Sequence, residues 1–191
     1  MTVQAIRNGF TVEVYEAHAR IALDAGDHEE FNQCKSQLAQ LYVSGLKSNN
    51  RAEITAYELI YYLLTKSMID MGVALDGIIK DEELMADKKV QLALAFRKAW
   101  SSKNFSRFFK LYDQADAGMR ALLDKFTSTQ RKQAMEIMLK TYKPNIPIIF
   151  LQQQLGFRDD LLACKEYLVS LGIRADKQGM VSSNSVIRES S

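Results

Sequence analysis

The chain has 191 residues, of which 47% are hydrophobic and 25% are charged, a balance typical of soluble globular proteins. No apolar run reaches the ~20 residues that a membrane-spanning helix needs, and no basic-then-apolar signal segment opens the chain. The composition therefore disfavours a membrane protein and predicts an intracellular one. The two cysteines, Cys34 and Cys164, are far apart in sequence, so we expect reduced thiols rather than a disulfide framework.

The net charge of +2 is unevenly distributed along the chain. Residues 1–96 hold 9 basic against 14 acidic side chains, residues 97–145 hold 11 against 4, and residues 146–191 hold 5 of each. A basic central segment can attract polyanions, and an acidic N-terminal half suits basic partners. For any one cluster the alternative is a solvated helix face, and the sequence favours neither.

The first predicted hairpin contains GDHEEFNQCKSQL (26–38), which gathers residue types that can bind metals. A zinc-peptidase signature needs a second histidine four residues after the first, but position 32 holds Asn. The other histidine, His18, is expected on a different helix. Cys34 falls at helical spacing within an apolar stripe that also holds Phe31, Leu38 and Leu41. We therefore predict a structural role for Cys34 and neither a metal site nor a catalytic pair.

An internal repeat supports this interpretation. Residues 20–38 align without gaps with residues 97–115, and in both a helix rich in small residues reaches a polar break and restarts with an aromatic residue. Asp27 and Asn104 are the predicted N-caps of the restarting helices. Residues 56–79 read as a further hairpin between the two copies. Stacked helix hairpins are the units of an α-solenoid.

Both prolines of the chain, Pro144 and Pro147, lie where the predicted run of helix hairpins ends. We interpret residues 143–146 as a connector and Pro147 as near the start of a short helix that Gly156 ends. A second helix, capped by Asp159 or Asp160, runs to Gly172. Residues 173–187 then predict a β-hairpin around a Gln-Gly turn, with only weak strand signals after the glycine.

A helix, a tight turn, a second helix and a β-hairpin together form a helix-turn-helix with a wing. The predicted fold is therefore mainly α, with a TPR-like α-solenoid over residues 1–143 and a winged helix over residues 144–191.

The outward face of the second winged-helix helix indicates what this part can bind. Ala163, Glu166 and Ser170 lie there, and none of them is an Arg, Asn or Gln that could pair with base edges. These three residues are therefore candidates for partner binding. Six basic residues suit phosphate contacts better: Arg131, Lys132, Lys140, Lys143, Arg174 and Lys177. Such contacts would depend on salt and not on base sequence, and plain solubilising charge remains the alternative.

An α-solenoid that ends in a winged helix resembles the PCI domains. Four blocks in order resemble the SAC3/GANP family: VEVYEAHARIALDAGDHEEFNQCKSQLAQLY (12–42), AYELIYYLL, LALAFRKAWSSKNFSRFFKLYDQA and PNIPIIFLQQQLGF. The resemblance covers residues 5–175. The segment HEEFNQC (28–34) most resembles the branch of the family that contains leukocyte receptor cluster member eight and its fungal THP-three-like relatives.

The resemblance implies a scaffold subunit of nuclear mRNA maturation or export, with no catalytic residues and no cofactor. Its winged helix would pair with that of a second PCI-domain protein, which a small acidic protein of the DSS-one/Sem-one type would support. The paired winged helices would offer a basic surface to RNA or DNA. Two alternatives stay open: an autonomous winged-helix transcription regulator that binds nucleic acid, and an enzyme. The enzyme is disfavoured because the chain has two histidines, no Gly-rich phosphate loop and no clustered metal ligands in its sequence.

Overall fold

The computed structural model describes residues 7–185 and 187, which form ten helices and two short strands. In chain order the elements are α1 (Gly9–Asp24), α2 (His28–Val43), α3 (Arg51–Thr65), α4 (Met68–Ile79), α5 (Glu82–Ala86), α6 (Lys88–Ser101), α7 (Phe105–Tyr112), α8 (Ala117–Thr141), β1 (Asn145–Pro147), α9 (Ile148–Gln154), α10 (Leu161–Ser170) and β2 (Met180–Ser182). The mainly α class is confirmed.

The chain divides into two compact units. Among the described residues, the first unit comprises 7–98 and 114–125, and the second comprises 99–113 and those from 126 onward. The predicted boundary after residue 143 therefore lies inside the second unit.

The internal repeat is visible in the backbone of two turns. In the α1–α2 turn Gly26 is left-handed with φ of 71°, and in the α6–α7 turn Lys103, at the aligned position, has φ of 51°. The next residue caps the following helix in each copy: Asp27 accepts a hydrogen bond from the Glu30 N–H (3.0 Å), and Asn104 accepts one from the Arg107 N–H (3.0 Å). Both predicted caps are confirmed.

The core of the first unit consists of helix faces with apolar residues at spacings of three and four. Helix α1 packs on α2, and α3 packs on α4, which confirms the hairpin predicted at residues 56–79. Helix α2 buries the predicted stripe: Phe31, Cys34, Leu38 and Leu41. Helix α3 is buried around much of its circumference, through Ile54, Ala56, Tyr57, Leu59, Ile60, Tyr62 and Leu63. Full burial of a large apolar side chain contributes about 1.5–3 kcal/mol, so these faces dominate the stability of the unit.

The second unit has an aromatic core around Phe109. Phe108 and Phe109 are in edge contact, with ring centroids 5.3 Å apart, and Trp100 stacks edge-on against Phe126 at 4.8 Å. Gly156 ends α9 with φ of 69° and lies against Phe109, so that a Cβ at this position would stand 2.7 Å from the ring. Asp160 caps α10 as predicted, accepting from the Ala163 N–H at 2.8 Å.

The small sheet corrects one prediction. Residues 145–147, interpreted as connector and helix start, form β1, which pairs antiparallel with β2 and aligns Ile146 with Val181. Three residues are too few to show a strand period, and the partner strand lies far along the chain, so the sequence carried no local signal. Pro147 caps α9, close to its predicted place at the helix start.

Where the sequence predicts a β-hairpin, the described residues form a turn closed by a single bridge. Val181 also forms an isolated bridge with Ala175, and the turn between them is closed by the Asp176 N–H, which donates to the Met180 carbonyl at 2.8 Å. The end of the predicted hairpin, at Val186, lies outside the described residues. β2 is therefore paired with β1 on one side, and on its other side it is paired only through the bridge to Ala175.

Candidate partner and nucleic-acid interface

The β1–β2 sheet positions two of the basic candidates beside the C-terminal helices. Lys143 immediately precedes Pro144, whose carbonyl accepts a hydrogen bond from the Ser183 N–H (2.9 Å) at the edge of the sheet. Lys177 lies in the turn that Asp176 organises: its carboxylate accepts from the Gln178 N–H at 2.8 Å and from the Met180 N–H at 2.9 Å. Both lysines therefore lie in or next to short backbone segments whose conformation is held by hydrogen bonds.

All six predicted phosphate contacts are open to solvent to some degree, Arg131 being half-buried. Lys140, Lys143, Arg174 and Lys177 are exposed, and Lys132 is half-buried. The ion pairs found among the described residues involve none of these five. Their charge is therefore available to a polyanion.

Arg131 is placed differently. Its guanidinium lies 4.0 Å from the centre of the Phe157 ring, and its Nε donates to the Leu155 carbonyl at 2.9 Å. A second nitrogen donates to the Gly156 carbonyl at 3.3 Å. These contacts tie α8 to the end of α9, so we assign Arg131 to packing and leave it out of the proposed nucleic-acid surface. No signal in the sequence indicated this role, because the two carbonyls that Arg131 contacts lie 24 and 25 residues further along the chain.

The outer face of α10 carries exposed apolar side chains in addition to the predicted residues. Glu166 and Ser170 are exposed as predicted and Ala163 is half-buried. Beside them Leu162 is 67% exposed and Val169 is 55% exposed. Leu162, Glu166 and Val169 are spaced by four and three residues, and therefore share one helix face. The sequence did contain a signal for this apolar face, because Leu162 and Val169 are aliphatic residues that fall outside the buried stripe of Cys164 and Leu168.

A groove of about 660 Å³ lies between α10, the start of α9 and the turn at residues 176–179. Its apolar lining includes Ile149, Val169 and Ile173, and its basic lining consists of Lys165, Arg174 and Lys177. The structure therefore brings two of the predicted phosphate contacts, Arg174 and Lys177, together with Lys165, while Lys140 and Lys143 lie outside this lining. We refer to it as the α10 groove.

The ionisable groups beneath the groove stay neutral near pH 7. Burial raises the pKa of Cys164 to about 11, with Arg131 opposing, and burial raises the pKa of Tyr167 to about 12. The hydroxyl oxygen of Tyr167 is buried and has no hydrogen-bond partner among the residues that the structure describes. These groups support packing of α10 and supply no acid, base or nucleophile near neutral pH.

A second cluster of functional side chains lies in the first unit, where α1 meets α2. His18 on α1 places its Nε2 3.3 Å from the Glu30 Oε1 on α2, and the Cys34 Sγ lies 3.9 Å from the same oxygen. The sequence predicts His18 on a different helix, as observed, but no signal in it brings that helix beside Glu30. Burial, and then the Glu30 carboxylate, raise the pKa of Cys34, which is opposite to the shift that activates a nucleophilic thiol.

A charged network centred on Glu53 occupies another part of the first unit. The Glu53 carboxylate accepts hydrogen bonds from Arg20 (3.2 Å to Nε), Lys89 (2.9 Å) and Tyr57 (2.8 Å). Burial of Glu53 opposes its charged form, but the three donors outweigh burial and lower its pKa to about 2. Lys89 also contacts Asp116 at 3.1 Å. These charges join helices α1, α3 and α6 and are not a free surface.

None of the helices formed by residues 7–185 combines the length and the apolarity needed to cross a bilayer. Residues 1–176 match the SAC3/GANP family. The chain is 47% identical over 173 residues to the leukocyte receptor cluster member 8 homolog of Xenopus laevis, covering 91% of this chain and 21% of that protein.

Two fungal proteins are also similar. The THP3 homolog of Schizosaccharomyces pombe is 40% identical over 159 residues, which is 83% of this chain and 40% of that protein. Protein THP3 of Saccharomyces cerevisiae is 27% identical over 160 residues, covering 82% of this chain and 34% of that protein. The chain thus spans less than half the length of these relatives, and their names match the predicted branch.

Proposed function

The chain belongs to the SAC3/GANP family, and from this premise we propose that it is a non-enzymatic scaffold that pairs with another PCI-domain protein. Helices α9 and α10 with the β1–β2 sheet act as the winged helix of a PCI domain, and the preceding helix hairpins act as its α-solenoid. The assembly serves mRNA maturation or export in the nucleus. A small acidic protein of the DSS-one/Sem-one type supports the partner.

The α10 groove carries this proposal. An apolar surface that is open to solvent and bordered by polar groups is typical of a protein-binding site, and here Val169 and Ile149 supply it. Such a surface gains free energy when a partner covers it, at about 25 cal/mol per Å² of apolar area buried. Leu162 extends the same apolar surface along the outer face of α10.

Nucleic acid is the second ligand that we propose. Lys140 and Lys143 at the end of α8, with Arg174 and Lys177 at the groove, give an exposed basic surface within one unit. Lysines that neutralise phosphates release counterions, so affinity falls with salt and is insensitive to base sequence. The outer face of α10 offers Leu162, Glu166 and Val169, which are poor readers of base edges. For this reason we do not extend the proposal to a base-reading transcription regulator.

Partner binding is tested by purifying the PCI-domain protein that this chain captures from nuclear extract and measuring its affinity by calorimetry. Val169→Glu places a charge in the groove and is expected to weaken binding at least tenfold. Ile69→Glu on α4, where the side chain is 82% exposed, is the matched control and should leave affinity unchanged. Equal affinities for wild type and Val169→Glu would reject the groove as the partner site.

Nucleic-acid binding is tested by fluorescence anisotropy with a single-stranded RNA, for the chain alone and for the purified complex. We expect tighter binding by the complex. Replacing Lys140 and Lys143 by Glu should lower the slope of log K against log salt by about 1.4 for a single strand, since each phosphate contact contributes about 0.7. Lys47→Glu, an exposed site in the first unit, is the control. An unchanged slope would remove the two lysines from the RNA surface.

A further inference from the structure

Three side chains of metal-binding type converge at the α1–α2 contact. His18 contributes an imidazole from α1, and Glu30 and Cys34, one helical turn apart, contribute a carboxylate and a thiol from α2. Their ligand atoms all lie within 4.8 Å of one another. Helices α1 and α2 pack extensively on each other, so the three positions are held by a well-formed contact.

The distances suit tetrahedral coordination. Metal bonds of ~2.0–2.1 Å to nitrogen or oxygen and ~2.3 Å to sulfur, at tetrahedral angles, put N and O ~3.3 Å apart and S and O ~3.6 Å apart. The observed separation is 3.3 Å from His18 Nε2 to Glu30 Oε1 and 3.9 Å from Cys34 Sγ to the same oxygen. The third pair, the His18 nitrogen and the Cys34 sulfur, lies within 4.8 Å, and side-chain rotation would bring all three ligand atoms to the metal.

We infer that His18, Glu30 and Cys34 form a zinc(II) site that joins α1 to α2. A thiolate with an imidazole favours zinc over magnesium or calcium, which prefer sets of oxygen ligands. The thiol proton of Cys34 goes to solvent when the metal binds, and the thiolate takes its place on the metal. Three protein ligands leave a fourth position for water or for a ligand from a partner.

The site has a solvent side and a core side. The side chains of His18 and Glu30 are 48% and 36% exposed, whereas Cys34 is 1% exposed. A metal ion can therefore enter past His18 and be anchored by the buried sulfur. The backbone around Glu30 is fixed by the Asp27 cap, which holds the first turn of α2 in place.

The competing explanation is a hydrogen-bonded cluster without metal, in which Glu30 accepts from both neighbours. The two explanations differ in their response to metal, because a hydrogen-bonded cluster gains nothing from zinc. The chain provides matched controls, since its only other cysteine and histidine are Cys164 and His28. Cys164 is also fully buried, and it lies in the other unit.

The test is a titration of the full chain with cobalt(II) under reducing conditions, followed by displacement with zinc(II). Wild type should bind one equivalent and show a near-ultraviolet sulfur-to-cobalt band with visible bands of tetrahedral intensity. Cys34→Ser should lose the sulfur-to-cobalt band. His18→Ala and Glu30→Gln should bind at least tenfold more weakly, whereas Cys164→Ser and His28→Ala should match wild type.

Thermal unfolding with zinc(II) provides the second readout. Zinc should raise the Tm of wild type and of Cys164→Ser, and leave the Tm of Cys34→Ser unchanged, because a ligand that binds only the folded chain stabilises it. The inference is overturned if wild type shows no sulfur-to-cobalt band, or if the band survives in Cys34→Ser. It is equally overturned if His18→Ala binds like wild type; this variant changes a half-exposed side chain and keeps the buried core.

Discussion

Replacing Glu53 by Gln removes the charge at the centre of the network that joins α1, α3 and α6. The glutamine keeps the volume and one acceptor for the Tyr57 hydroxyl, but Arg20 and Lys89 lose their anionic partner. We expect the variant to fold and to be less stable near neutral pH.

The magnitude follows from the pKa of Glu53, which the network lowers from the ordinary value of 4.5 to about 2. Each pKa unit corresponds to about 1.4 kcal/mol, so the ionised carboxylate contributes about 3 kcal/mol at pH 7. The folded pKa lies below the unfolded one, so the contribution is fully present above about pH 4.5 and is lost as the pH falls toward 2. By pH 3 the contribution should have dropped to about 1.5 kcal/mol.

The assay is urea unfolding followed by circular dichroism, for wild type and Glu53→Gln, at intervals from pH 7 down to pH 3. The difference in the free energy of unfolding should be largest at pH 7 and should roughly halve by pH 3. Glu13→Gln, at an exposed position of α1, is the control and should differ from wild type by less than about 0.5 kcal/mol. A difference between Glu53→Gln and wild type that stays constant over this range would refute the reasoning.

Three further substitutions test packing and capping by chemical denaturation. Gly118→Ala would put a Cβ 2.6 Å from the ring of Tyr57, whose hydroxyl is held by Glu53. Alanine favours a helix more than glycine does, but we expect the clash to lower the free energy of unfolding by about 1–2 kcal/mol. Unchanged stability would show that the Tyr57 ring moves aside freely. Gly156→Ala combines a left-handed backbone with a Cβ 2.7 Å from Phe109 and should cost at least about 2 kcal/mol, and a neutral result would contradict the described turn. Asp27→Ala removes the α2 cap and should cost about 1 kcal/mol, recovered in part by Asn at the same position.

The features that were predictable from the sequence are those set by nearby residues. The turns at Gly26 and Lys103 are marked by short polar breaks and capping side chains, and the buried stripe of α2 follows from its spacing of three and four. Asp160 and Gly156 likewise act within a few residues of their own positions. Residues that are near one another in the sequence determine all of these turns, caps and buried stripes, so the sequence alone is enough to predict them.

The features that were missed depend on contacts between distant segments. β1 exists because Ile146 meets Val181, and Arg131 is held by carbonyls that lie more than twenty residues further along. In the same way His18 reaches Glu30 only once α1 has folded back on α2. Neither charge nor spacing along the chain reports such pairings. The basic segment therefore looked like one surface, although one of its members, Arg131, is held against Leu155 and Phe157.

The contact that Arg131 makes with the end of α9 has a mechanical consequence. It fastens the C-terminal half of α8 to the segment that leads into α10, and Lys140 and the α10 groove belong to the same compact unit. A ligand that touches both meets them already aligned and loses little hinge entropy on docking. Cutting that link with Arg131→Met would leave each surface intact and loosen only their alignment.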